Sequence, residues 1–171
     1  MLRIAFLVLF GSLIAVGAPS FKTWRSATEN ELHEVIPERV QVERERIETE
    51  FRTASGITDG NHRFFAGVVM ITAGYSAELK YSNFLITQVP IKIDRITLEP
   101  GTYVFGWKHR SDDVLQVSLY EAQSGKLLGM VDASRTNRIG KIESFYISPP
   151  GERSQIQIGR FAMRYELLTR K

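Results

Sequence analysis

The stretch Ile91–His109 constrains the fold of this chain more than any other part of the sequence. Within it, Pro100 presets φ for the first central position of a tight turn, and Gly101 tolerates the positive φ that a type II turn requires at the second. The residues that follow alternate between aromatic and smaller or polar side chains, and the aromatic ones are Tyr103, Phe105 and Trp107. Because alternate residues of a strand share a face, this pattern predicts strand, turn and strand, with three rings anchoring a β-sheet core.

Short apolar or alternating segments recur through the chain after residue 62, each bounded by turn residues. Phe64–Thr72 is a nearly continuous apolar run, and the apolar residues of Leu115–Leu119 alternate with polar ones. No helical periodicity separates these segments, and such spacing is typical of antiparallel sandwiches and barrels. We therefore predict an all-β fold, an antiparallel β-sandwich of about eight or nine strands, with a small β-barrel as the alternative.

Composition divides the chain into three parts. Residues 1–18 have a basic start, the charge-free apolar run Ile4–Val16 and small residues at its end, as in a cleaved signal peptide. An uncleaved membrane anchor is the alternative, although the run is shorter than the roughly 20 residues that a span requires. Residues 19–62 form a charged N-terminal segment or linker, and residues 63–171 form the predicted β-sandwich domain.

The charged N-terminal segment carries one clear helix signal. Thr28 is followed three residues later by Glu31, which is the pattern of a capping box. Farther along, Glu38–Ala54 alternates acidic and basic residues around a thin apolar stripe, and we interpret it as a second helix, although Val40 and Val42 alternate as in a strand. This partly helical segment is expected to be either a docking helix or a solvated linker, two alternatives that the sequence leaves open.

The segment Leu98–Tyr103 resembles the L-x-P-G-x-Y strand-turn-strand motif of exported bacterial β-sandwich modules, such as transthyretin-like domains and collagen-adhesin B-type repeats. The resemblance covers six residues. In those modules the motif is structural, so the resemblance implies a β-sandwich in which Pro100 and Gly101 form a turn, and it implies no active site.

Motifs of catalysis are absent from the sequence. The chain has no cysteine, no G-x-S-x-G motif and no glycine-rich phosphate loop, and its three histidines do not have metal-ligand spacing. We therefore predict no catalytic residue, no metal and no cofactor. The formal net charge of +3 is too small to indicate a nucleic-acid partner.

Two groups of basic residues indicate a binding surface. Arg135, Arg138 and Lys141 lie in or beside one predicted loop, whereas Lys108 and Arg110 flank the end of a predicted strand. If both groups lie at one end of the domain, they form a cationic patch suited to an anionic ligand, since loops on a rigid β scaffold commonly carry binding sites. A solvated basic surface without a ligand is the alternative.

These features together predict a periplasmic or secreted, envelope-associated binding or interaction module without catalytic activity. Its partner is expected to be an anionic envelope component or a protein, with membrane contact only through the signal segment. Two alternatives remain open from the sequence: a small periplasmic hydrolase whose site is assembled from distant residues, and a structural subunit of an envelope assembly.

Overall fold

Strands dominate the computed structural model, which describes residues 24–137, 142–150 and 153–168. These residues form thirteen antiparallel strands and one short helix. In chain order the elements are β1 (Arg25–Ser26), α1 (Glu29–Val35), β2 (Arg39–Val42), β3 (Glu45–Thr58), β4 (Phe64–Ile71), β5 (Asn83–Thr87), β6 (Ile91–Ile93), β7 (Ile96–Leu98), β8 (Gly101–Ser111), β9 (Val114–Glu121), β10 (Leu127–Arg135), β11 (Phe145–Ile147), β12 (Gln155–Ile158) and β13 (Phe161–Leu167).

The strands follow one another in a single sheet that curls back on itself. Its order is β1-β3-β4-β5-β8-β9-β10-β13-β12-β11, with β2 beside β3 and the β6–β7 hairpin beside β13. At the far end, β11 returns to β3, where the Ile147 N–H donates a hydrogen bond to the Ser55 hydroxyl over 2.9 Å. The predicted all-β class is confirmed. Of the two architectures considered, the nearly closed, barrel-like sheet corresponds to the small β-barrel rather than to the sandwich.

Both faces of the sheet are buried in its central strands. On β8, Phe105 belongs to a core inside the barrel, whereas its neighbour Val104 belongs to a second core outside it. Consecutive residues of a strand point to opposite faces, so β8 supplies side chains to both cores. The outer core is covered by α1 and the β2–β3 hairpin, which contribute Leu32, Val40 and Ile47.

The N-terminal segment is a structural part of the sheet. Helix α1 has the predicted capping box, with Thr28 as its N-cap. The second predicted helix, over Glu38–Ala54, is wrong, because most of these residues form β2 and β3. Arg39 and Glu48 face each other across this hairpin and form an ion pair of 2.5 Å, so the alternating charges belong to a half-exposed strand pair. Through β3, the segment predicted as a linker pairs directly with β4.

The turn predicted at Pro100 and Gly101 has a different geometry. Gly101 is not among the described glycines with positive φ, so the prediction of a type II turn is wrong. Strand β7 pairs with β6 and β8 pairs with β5 and β9, so Pro100 lies in a crossover between strands that do not pair with each other. The tight turn of this region joins β6 to β7 and contains Asp94, whose φ is 53°. The Tyr103 hydroxyl donates a 2.7 Å hydrogen bond to the Glu99 carbonyl and holds the crossover.

The predicted signal peptide, residues 1–18, lies outside the described residues. In the part of the chain that the structure describes, no helix is both long enough and apolar enough to cross a membrane.

Candidate ligand-binding cavity at the barrel mouth

A cavity of about 450 Å³ opens at the end of the barrel where β8 passes into β9. Most of its surface is apolar, and its polar groups lie among rings and branched aliphatic side chains. The lining residues are Val69, Ser82, Asn83, Trp107, His109, Leu115, Arg135, Ile142, Ser144, Ile158, Gly159, Arg160 and Phe161. An apolar cavity with a few polar groups is the usual form of a small-molecule binding site. We refer to it as the mouth cavity.

The inner face of β8 supplies the aromatic wall of the mouth cavity. Tyr103 and Phe105 are buried in the inner core as predicted, but Trp107 is 43% exposed because β8 extends beyond the packed interior at this end. His109, two residues farther along, contacts the edge of Trp107 with ring centroids 5.9 Å apart. On its other side it meets Phe161 from β13 at 5.7 Å. The alternation that buries the first two rings therefore places the next two in the cavity.

Arg135 is the cation held most firmly at the mouth cavity. Its guanidinium lies over the Phe161 ring, 5.4 Å from the ring centroid. Its Nε donates to the Asp112 carbonyl and lies 3.0 Å from the Asp113 carboxylate. The Arg135 backbone N–H also donates to the Asp113 carbonyl over 2.8 Å. The β8–β9 turn thus fixes the guanidinium in place, and within the described residues no acceptor is bonded to its Nη1.

A buried amide adds another polar group to the lining of the mouth cavity. Asn83, on β5, is only 2% exposed, and its Oδ1 accepts a 2.8 Å hydrogen bond from the Ser82 hydroxyl. A buried polar side chain held by a neighbour keeps a fixed orientation. The cavity therefore contains an amide held by Ser82 and a guanidinium held by the β8–β9 turn.

The structure separates the predicted basic residues. Arg135 lines the mouth cavity, but Lys108 follows Trp107 on β8 and lies on the opposite face of that strand. Arg110 also points away from the mouth cavity, and its Nη1 pairs with the Asp132 carboxylate at 2.8 Å. Arg138 and Lys141 lie outside the described residues. The three described members of the predicted patch therefore do not form one surface.

The rings of the mouth cavity were not predicted as a site from the sequence. The sequence does show Trp107 and His109 at alternate positions near the end of a predicted strand. A strand that continues past its core leaves its last inward residues at the rim, so this alternation could have indicated the site. The contact of His109 with Phe161 joins residues far apart in the sequence, and local patterns carry no signal for it. His62, in contrast, lies in the turn between β3 and β4, at the other end of the barrel. Its Nδ1 is 3.9 Å from a carboxylate oxygen of Glu34, which belongs to α1.

A second group of ionisable side chains serves the fold. The Glu43 carboxylate accepts hydrogen bonds from Lys80 at 2.7 Å and from the Tyr81 hydroxyl at 2.5 Å. The ammonium of Lys80 holds the pKa of Glu43 below its usual range, and the carboxylate in turn raises the pKa of Lys80. A lysine whose pKa is raised stays protonated at neutral pH and does not act as a general base. This group instead ties the β2–β3 turn to the segment before β5.

Comparison of the chain with known protein families, with curated proteins and with solved structures finds no match in any of the three. Function is therefore inferred from the chemistry of the described residues.

Proposed function

We propose that this protein is an exported, envelope-associated binding module without catalytic activity, and that the mouth cavity binds an amphipathic anion. The observation that carries the proposal is the position of Arg135, whose guanidinium lies over Phe161 at a cavity with mostly apolar walls. The apolar body of the ligand packs against Trp107 and Phe161, and its acidic group bonds to Arg135.

The physical chemistry of the cavity favours such a ligand over a purely polar or a purely apolar one. Rings and aliphatic side chains gain free energy when an apolar group replaces water against them. A guanidinium that is partly desolvated by a ring forms stronger hydrogen bonds to an acid than a fully hydrated ammonium does. Because Asp112 and Asp113 already hold Arg135, little side-chain entropy is lost when the ligand binds.

The arrangement of the polar groups favours binding over proton transfer. His109 is bounded by the rings of Trp107 and Phe161, and no hydrogen bond between described residues joins it to a serine. The Ser82 hydroxyl donates instead to the amide oxygen of Asn83. Activation of a serine nucleophile requires a hydrogen bond to a base, so these contacts support a role in holding a ligand.

Because Trp107 lines the mouth cavity, its fluorescence emission is used to detect ligand binding. Trp24→Phe leaves Trp107 as the only tryptophan, since the chain contains two. Titration with decanoate is expected to change the Trp107 emission saturably, and decanol, which lacks the charge, is expected to bind more weakly. Equal affinity for decanoate and decanol, or no change in emission with either, would contradict the proposal.

Variants then assign the contacts. Arg135→Gln is expected to weaken decanoate binding roughly tenfold or more while leaving decanol binding nearly unchanged, because a hydrogen bond to a charged group is lost. Lys108→Gln is the matched control, since it removes a cation from the opposite face of β8. If both variants weaken decanoate binding equally, the effect is general electrostatics and the site is wrong.

Export is tested separately by the mass of the protein isolated from cells, with an N-terminus expected near Pro19.

A further inference from the structure

A second cavity lies where two strands of the barrel separate. Strands β10 and β13 pair only through Ser134 with Ala162 and Arg135 with Phe161. Farther along β13, the pairing passes to β6 of the β6–β7 hairpin. A cavity of about 490 Å³ occupies the resulting fork, and it shares no lining residue with the mouth cavity. We refer to it as the fork cavity.

Three arginines from three different elements line the fork cavity. Arg95 comes from the β6–β7 turn, Arg110 from β8 and Arg164 from β13. Two carboxylates lie in the same cavity. Asp132 pairs with Arg110 at 2.8 Å, whereas Asp94 is 3.6 Å from Arg95 in a pair that is mostly exposed.

Arg164 is the arginine of the fork cavity that pairs with neither of these two carboxylates. Within the described residues it has no carboxylate oxygen within 4.0 Å, and three arginines against two aspartates leave the cavity with a formal charge of +1. The Asp94–Arg95 contact is held weakly, because water screens an ion pair between exposed side chains. Two of the three guanidiniums are therefore available to an added anion at small cost.

We propose that the fork cavity binds the phosphate group of a soluble phosphate or phosphate monoester. A carboxylate is planar and is satisfied by one bidentate arginine, whereas a phosphate presents three or four acceptor oxygens in different directions. Arg95 of the β6–β7 turn and Arg164 of β13 can donate to different oxygens of this tetrahedral group, and Arg110 of β8 lines the same cavity in its pair with Asp132. Val131 and Met163, both buried, also line the cavity, so its interior is not wholly polar.

The test is the thermal unfolding of the whole protein in rising concentrations of inorganic phosphate. A ligand that binds only the folded state raises the Tm with a saturable dependence on concentration. Phosphate and sulfate also stabilise proteins through exclusion from their surface, an effect that rises without saturation. Saturable stabilisation by phosphate, with a weaker effect of acetate at equal ionic strength, is the expected result. Its absence overturns the proposal.

Two substitutions shift the affinity in opposite directions. Arg164→Gln is expected to weaken phosphate binding about tenfold, which corresponds to about 1.4 kcal/mol. Asp132→Asn frees Arg110 and raises the charge of the cavity, so it is expected to tighten binding. Arg46→Gln, an exposed arginine on the β2–β3 hairpin, is the matched control. Equal loss in Arg164→Gln and Arg46→Gln, or weaker binding in Asp132→Asn, overturns the site.

A vesicle experiment separates the two sources of a phosphate monoester. Cosedimentation with phosphatidic acid vesicles that Arg164→Gln abolishes would place the group on a lipid. Saturable stabilisation by soluble phosphate without cosedimentation would place it on a small molecule. Because the mouth cavity shares no residue with this site, the decanoate titration is expected to be unchanged in Arg164→Gln, so the two proposals fail independently.

Discussion

Glu31 links helix α1 to the first strand through a set of hydrogen bonds on one carboxylate. Its two oxygens accept from the Arg25 guanidinium at 2.7 and 2.9 Å. One of them also accepts from the backbone N–H of Thr28 over 2.8 Å, which completes the capping box. The Arg25 hydrogen bond, followed by that of Thr28, lowers the pKa of Glu31 from 4.5 to about 2. Charge and helix capping therefore depend on the same group.

The lowered pKa predicts how this residue contributes to stability at different pH values. A carboxylate whose pKa is depressed on folding stabilises the protein above its unfolded pKa, and the contribution is lost as pH falls through the folded value. Glu31→Gln is expected to lower the free energy of unfolding at pH 7. The difference from wild type should shrink between pH 4.5 and about 2, where wild type also loses the charge.

Urea unfolding at several pH values measures this difference. Glu29→Gln is the matched control, because it removes the same charge from the first turn of α1 without touching the capping box. A deficit in Glu31→Gln that is the same at pH 7 and pH 2 would show that the charge does not contribute. A deficit that Glu29→Gln reproduces in full would assign it to the helix dipole.

Strand β8 is ordered by what packs against its two faces. A Cβ at Gly106 would overlap the carbonyl oxygen of Lys80, so the segment before β5 lies directly on this glycine. At Gly101, on the same strand, a Cβ would be 3.4 Å from the nearest atom, the hydroxyl oxygen of Tyr103. The strand therefore requires glycine at position 106 for close approach of the backbone, and not at position 101.

This contrast gives a prediction within one strand. Gly106→Ala is expected to lower the free energy of unfolding by roughly 1–3 kcal/mol, because backbone atoms have to move to admit the methyl group. Gly101→Ala is expected to change it by less than about 1 kcal/mol, since its φ is not positive and its Cβ has ordinary space. Denaturant unfolding of both variants measures the difference. Equal destabilisation by the two variants would mean that the segment before β5 does not restrict the space at Gly106.

The β2–β3 hairpin shows why an element can be misread from its sequence. Its alternating charges and its thin apolar stripe are compatible with both a helix and a strand pair. The strand pattern is present in Val40 and Val42, both of which are buried in the outer core. Their burial depends on an outer face of the sheet that is itself apolar, and this property of β4, β5 and β8 is visible only when the sheet is assembled.

The sequence predicts the strand content of the barrel and not the way in which the strands close. The all-β class, α1 and β4 followed from local periodicity and capping. Closure requires that β11 return to β3, which lies about ninety residues earlier in the chain. Pairing at that separation leaves no local pattern, so sandwich and barrel could not be distinguished from the sequence.

The candidate site was predictable to a similar extent. Arg135 was selected from the sequence and lies at the mouth cavity, where Phe161 and the β8–β9 turn fix it. Its grouping with Lys108 and Arg110 assumed that nearby strand ends share a surface. The strict alternation of β8 instead places Trp107 and His109 towards the cavity and Lys108 away from it. Which residues of a strand point into the barrel depends on which side of the strand meets the core. In β8 both sides meet a core, so the pattern alone does not decide.

The closure between β3 and β11 depends on a side chain in place of a sheet ladder. Ser55 is buried, and its hydroxyl accepts a hydrogen bond from the backbone N–H of Ile147. Register between β3 and β4 shifts between Glu50 and Ser55, so β3 is irregular where β11 approaches it. A strand edge that lacks a regular partner leaves its N–H groups to other acceptors, and Ser55 supplies one.

Ser55→Ala tests how strongly this contact holds the barrel closed. The substitution leaves the buried N–H of Ile147 without its acceptor, and an unsatisfied buried donor costs roughly 1–3 kcal/mol. We expect a decrease of that size in the free energy of unfolding, together with faster hydrogen exchange of the Ile147 amide. Ser134→Ala, at an exposed serine of β10, is the control. If Ser55→Ala matches that control in stability and exchange, packing of β11 against β3 closes the barrel without the hydrogen bond.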